Sequence, residues 1–212
     1  MDRPMPFPRR PATAEPSSVG RIRDAALECF ATNGIAATSL RTVAESAGVS
    51  VGSVQHHFGT KAALVESVND HVLKIIGDAV AATPLTTASG DPLTEAGVRV
   101  TAMISANEFV VDYLARALIE GDEFGAEIFD GLLALSTAQR EQFDAQDLLW
   151  PDQDMDWAAL NPLILRLGAM VLRTHIERHL PGPLTEPDQL RRWDAAVTAL
   201  IRRGQFRDSP PH

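Results

Sequence analysis

Apolar residues recur at helical spacing along almost the whole chain, and turn-forming residues cut that pattern into short pieces near the N-terminus and long ones after it. Ile22, Ala25, Ala26, Cys29 and Phe30 mark a first helix over about 18–33, with Ser18 placed to cap its start and Asn33-Gly34 to stop it. Leu40, Val43, Ala44 and Ala47 form the inward side of a second, short helix that Thr38 or Ser39 can cap and Gly48 closes. Ser50 opens a third short helix, whose buried side is Val54 and Phe58. Thr60 caps a longer fourth, carried by Leu64, Val65, Val68, Val72, Ile75, Ile76, Ala79 and Val80 up to the turn-rich segment 83–92 (TPLTTASGDP). Beyond it the apolar period predicts helices over roughly 93–119, 124–146, 157–180 and 187–204. No stretch alternates with period two for long enough to compete as a strand, so the predicted class is all-α, without a repeat of fixed period.

Two short helices joined by Gly48-Val49-Ser50 have the layout of a helix-turn-helix, in which one helix braces another in the major groove of DNA. Ala44 is small enough for the helices to cross closely, and Gly48 can adopt the left-handed backbone the turn requires. Val43, Ala47, Val49 and Val54 fill the space between them. The outward side of the third helix is Val51, Gly52, Ser53, Gln55 and His56, with no acid to repel phosphate.

Charge first weighs against such a partner, since the net value is -9. Its distribution reverses that impression. Residues 1–61 hold seven Lys/Arg against five acids, whereas the remainder holds 12 against 23, so only the N-terminal part is suited to approach a polyanion. Residues 1–17 contain five prolines and no helical period, which predicts a disordered arm with Arg9 and Arg10 free to touch phosphate. No window approaches the roughly 18 consecutive apolar residues of a membrane span, and the Pro-rich start lacks the apolar core of a signal peptide. A cytoplasmic location is expected. The single Cys29 fits a reducing compartment and falls on the apolar side of the first helix as core packing.

The segment TSLRTVAESAGVSVGSVQHHFGTKAALV (38–65), together with RIRDAALECFATNG before it, resembles the TetR family of bacterial transcriptional regulators. The match is to a spaced pattern covering about 50 residues. The resemblance implies an N-terminal three-helix DNA-binding domain (18–62) and a C-terminal ligand-sensing and dimerisation domain (63–206), followed by a tail (207–212). It implies base contacts from Val51, Gly52, Ser53, Gln55 and Arg41, and phosphate contacts from Ser39, His56, His57, Thr60 and Lys61. Thr60 and Lys61 also open a helix whose free amides and positive dipole end attract phosphate. The chain departs from the family at Gln55, where an aromatic residue, often Tyr, is usual. A carboxamide can bond to phosphate or pair bidentately with adenine, so the departure bears on base preference.

The run 157–171 is apolar nearly all round, and Leu190, Trp193, Ala196, Val197, Leu200 and Ile201 form a stripe on the last helix. The resemblance implies that these last two helices pair with their mates in a homodimer, setting two recognition helices about one turn of DNA apart on a palindromic operator. It further implies a small-molecule effector held inside the C-terminal domain, with Met103, Asn107, Phe109, Tyr113, Phe129, Leu132, Leu133 and Met170 as candidate lining. The alternative is a constitutive or architectural DNA binder with a filled C-terminal core.

Other chemistry finds no complete set of residues. His175 and His179 have a zinc-compatible i, i+4 spacing but no third ligand, and Asp152, Asp154 and Asp156 start like a calcium loop that Trp157 and Leu163 break. There is no Gly-rich phosphate loop, nucleophile elbow or zinc-protease signature. Neither enzymatic activity nor a cofactor or metal is expected.

Overall fold

The computed structural model describes residues 17–81 and 90–207. Residues 1–16 of the predicted arm, 82–89 of the turn-rich segment and 208–212 of the tail lie outside the described residues.

Four helices come first: α1 (Ser18–Asn33), α2 (Leu40–Ala47), α3 (Val51–Phe58) and α4 (Lys61–Ala81). The cap of α1 is Ser17 rather than Ser18, its hydroxyl accepting from the Gly20 amide at 3.1 Å. Thr38 and Ser39 divide the work between two helices. Buried Thr38 looks back, donating to the Gly34 and Cys29 carbonyls at 2.8 and 3.3 Å, which satisfies the end of α1. Ser39 caps α2, accepting from the Thr42 amide at 3.0 Å. Gly48 closes α2 in the left-handed region (φ 66, ψ 35), and Ser50 restarts the chain by accepting from the Ser53 amide at 3.1 Å.

The long runs break where sequence periodicity did not place a break. Instead of one helix over 93–119 there are α5 (Pro92–Ala106) and α6 (Glu108–Glu120). Between them Asn107 leaves helical geometry (φ -137, ψ 66) and donates its side-chain amide to the Met103 carbonyl at 2.8 Å. That bond replaces one the helix would otherwise have made for itself. α7 (Glu123–Asp144) follows. The expected 157–180 helix begins earlier, as α8 (Met155–Val171), because Asp154 accepts from the amides of Asp156 and Trp157 at 3.1 Å each. It ends at Leu172, and the short α9 (Arg173–Ile176) and a 3-10 turn (Glu177–His179) continue at a bend of 67°. His175 and His179 therefore fall in different elements. Pro162 inside α8 cannot donate, and the Ala158 carbonyl accepts instead from Gln205 Nε2 at 3.0 Å. Gln205 closes α10 (Pro187–Gln205).

One core runs from the head into the body. Ile22, Ala26 and Phe30 of α1 pack with Val43, Val54, Leu64 and Val65, and the same cluster continues through Val111, Leu114, Ile128 and Met170. Cys29 is buried within it. At its centre the Tyr113 hydroxyl donates to Asn69 Oδ1 at 2.7 Å, while Asn69 Nδ2 donates to the Phe124 carbonyl at 3.3 Å. Burial pushes the Tyr113 phenol far above its usual range, so it serves as a neutral donor tying α4, α6 and α7 together. Gly125 lets α7 approach α6: a Cβ there would stand 2.3 Å from the Ala117 carbonyl oxygen.

The last helices divide the expected stripe between two faces. Leu190, Val197 and Ile201 are buried inside the protomer, so they do not belong to an outward surface. Trp193 is half-buried against the same cores. Exposed instead are Trp157, Ile164 and Leu165 on α8, Leu172 just past its end, and Ala196 and Leu200 on α10, with Leu200 still 57% accessible. Among the described residues no single helix is long and apolar enough to cross a membrane.

Candidate nucleic-acid interface

The residues expected to contact DNA lie on α2 and α3, at the cap of α2 and at the start of α4. Of α3, Val54 is fully buried and anchors the helix, which leaves Gly52, Gln55, His56 and His57 exposed and Val51 and Ser53 half-buried. Gly52 adds no side chain, so the backbone at the start of α3 can come close to a ligand.

Several of these side chains already have partners. Ser39 and Ser50 serve as caps, and Thr60 Oγ1 accepts from the Ala63 amide at 3.1 Å at the mouth of α4. Arg41 is exposed and donates its Nε to Glu45 at 2.9 Å, which leaves its two Nη groups for a base or phosphate. His57 Nε2 lies 3.2 Å from Ser18 Oγ, which pins α3 against the start of α1. The His56 and His57 rings meet edge to face at 5.3 Å. Lys61 Nζ donates to the Ala36 carbonyl at 3.2 Å. An ammonium has three donors, so this bond positions Lys61 and leaves two for phosphate. Nothing in the sequence at Ser18 signals this partner 39 residues away.

The region around this face matches a family model described as bacterial regulatory proteins, tetR family, over residues 22–68. Residues 22–68 thus carry a TetR-family DNA-binding domain. A relative, the HTH-type transcriptional regulatory protein RaaS of Mycobacterium tuberculosis, is 33% identical over 121 residues, covering 57% of this chain and 54% of that one. The HTH-type transcriptional repressor Rv3405c of the same organism is 41% identical over 70 residues, 33% of this chain and 37% of its own length. The aligned region thus spans about half, or less, of the curated relatives it matches. Among solved structures, the fatty acid degradation regulator FadR from Bacillus halodurans superposes with a TM-score of 0.71 at 15% identity, covering 87% of this chain and 97% of that one. SmeT, the repressor of the Stenotrophomonas maltophilia multidrug efflux pump SmeDEF, gives 0.66 at 19% identity over 91% and 92%. At such identities these two show a shared fold.

For a TetR-family helix-turn-helix, Lys61→Ala is expected to weaken binding to every DNA sequence alike. It should also flatten the salt dependence by about 1 in slope per head, or about 2 for a dimer, because each lost phosphate contact releases one fewer counterion. Titration at several salt concentrations checks this, and an unchanged slope removes Lys61 from the phosphate contacts.

Behind the head, residues of α4 to α8 line a cavity of about 110 Å³. Its wall is largely apolar, with Val111, Leu114, Ala115 and Leu118 of α6 on one side and Leu132 and Leu135 of α7 on another. Of the eight candidate lining residues, Met103, Leu132 and Met170 reach it. Asn107 and Phe109 line a different cleft, between α1, α4 and the α5–α6 junction. The break at Asn107 re-phases α6, so Tyr113 turns to Asn69 and the face 111–114–115–118 takes the cavity side. Phe129 and Leu133 are half-buried and lie outside both linings, on a different side of α7 from Leu132 and Leu135. The opposite face of α6 carries Arg116, whose guanidinium donates to the Ala31 and Thr32 carbonyls at 3.2 Å each, gripping the C-terminal end of α1.

Proposed function

We propose that this chain is a ligand-responsive transcriptional repressor, binding a palindromic operator as a homodimer and releasing it when a small molecule enters the cavity. The observation that carries the reading is the double duty of α6, which walls the cavity on one face and holds α1 through Arg116 on the other. A ligand that displaces α6 therefore acts on the head that carries α3. A cavity of about 110 Å³ exceeds the room of one water, which weighs against a constitutive binder with a filled core. Support for the homodimer comes from the exposed apolar strip of α8 and α10, where a Cβ added to Gly168 would meet nothing within 4 Å.

Filling the cavity by mutation tests the coupling without knowing the effector. Ala115→Phe is expected to lower operator affinity about 5- to 150-fold, the usual range of allosteric coupling, while the protein stays folded. In an Arg116→Ala background the same substitution should have a smaller effect, because the two hydrogen bonds from α6 to the end of α1 are gone while their apolar packing remains. A folded Ala115→Phe variant that binds operator like wild type would support the constitutive reading instead.

A further inference from the structure

A buried cation stands beside this cavity without a counter-charge. Arg140 on α7 is only 8% exposed. Its Nε is sealed from solvent without an acceptor, and no carboxylate pairs with its guanidinium among the described residues. The neighbouring Gln139 Nε2 is likewise sealed and without an acceptor. Both side chains line a second chamber, of about 30 Å³, between α5, α7, α8 and the end of α10. Ser136, Gln139, Pro162 and Arg166 line both this chamber and the apolar cavity, so the two abut.

An interior guanidinium left unpaired is strongly unfavourable, and native interiors rarely leave one so. Arg166 does not share the problem, since its Nη1 lies 3.1 Å from Asp194 Oδ1 in a largely buried pair. The junction therefore offers one uncompensated positive charge, a planar donor fork and one free amide. That set matches the charge and shape of a single carboxylate. A phosphate-type dianion would bring a second charge with no partner into a chamber of about 30 Å³. The adjoining apolar chamber limits the rest of the ligand, because a cavity of about 150 Å³ holds benzene, which makes one ring or a short branched chain the fitting size.

We propose that the effector is a small apolar monocarboxylate, its carboxylate held by Arg140 and Gln139 and its apolar body seated against α6. The assignment rests on the reading of the cavity as an effector site. Calorimetric titration of the full-length protein with benzoate and isovalerate, each against its neutral amide, tests it. Each acid is expected to bind about tenfold tighter than its amide, the usual advantage of a charge-assisted hydrogen bond. In Arg140→Met that preference should vanish, while the thermal midpoint without ligand stays equal to wild type or rises, because an unpaired buried charge has been replaced by an apolar side chain. Acid and amide binding alike would overturn the carboxylate assignment and leave the effector cavity standing. So would an Arg140→Met protein that keeps the preference or is destabilised without ligand, since Arg140 would then be structural. No binding by any of the four compounds overturns the assignment too, and the Ala115→Phe result then decides separately whether the cavity is an effector site.

Discussion

Leu165→Glu and Leu200→Glu are each expected to yield a folded monomer whose operator affinity has fallen by about 10²- to 10⁴-fold, the advantage gained when a second linked site binds. Both side chains lie on the outward strip of α8 and α10 and contribute little to the protomer's own core, so a charge there costs little until two protomers meet. Val197 provides the contrast. It stands three residues from Leu200 on the same helix but is 6% exposed, packed with Leu93, Ala96 and Ile201. Val197→Glu should therefore destabilise the protomer itself by about 3 kcal/mol or more, through burial of an unpaired charge. Sedimentation and thermal melting separate the two outcomes. A dimer that survives both Leu165→Glu and Leu200→Glu puts the contact elsewhere.

The second large effect concerns sequence reading. Gln55 is exposed on α3, one residue beyond the buried Val54 that fixes the helix, and its side chain has no hydrogen-bond partner among the described residues. A free carboxamide held on a rigid helix is suited to bidentate pairing with adenine. Gln55→Ala is then expected to cost about 1–3 kcal/mol per half-site on the preferred operator and to relax the preference at one base pair in each half. Operators varied one pair at a time check this. A loss of the same size on every sequence assigns Gln55 to the phosphate backbone.

The parts of this fold set by local rules were legible in the sequence. The head follows from a 3.6-residue period, serine caps and Gly48, and the helix-turn-helix sits where its spacing predicted. The body was less legible because its decisive features are tertiary. Asn107 reads as an ordinary polar residue in a helical run, and only its bond to the Met103 carbonyl makes it a break. That break re-phases α6 and moves the cavity wall from the residues chosen by composition to Val111, Leu114, Ala115 and Leu118. Likewise, the stripe on α10 is wide enough to serve two faces, and periodicity alone could not assign Val197 and Ile201 to the protomer and Leu200 to the outside. Arg140 carries no local signal at all, since an arginine on a helix is usually solvated, and its isolation depends on what α5, α8 and α10 fail to bring near it.

As proposed, two of these heads together read a specific DNA sequence. Selection of duplex DNA from a random-sequence pool by the full-length protein tests it most directly. The expected result is enrichment of a palindrome whose half-sites are centred about one helical turn, roughly 34–36 Å, apart. Recovery of no enriched sequence, or of a single unpaired half-site, would contradict it.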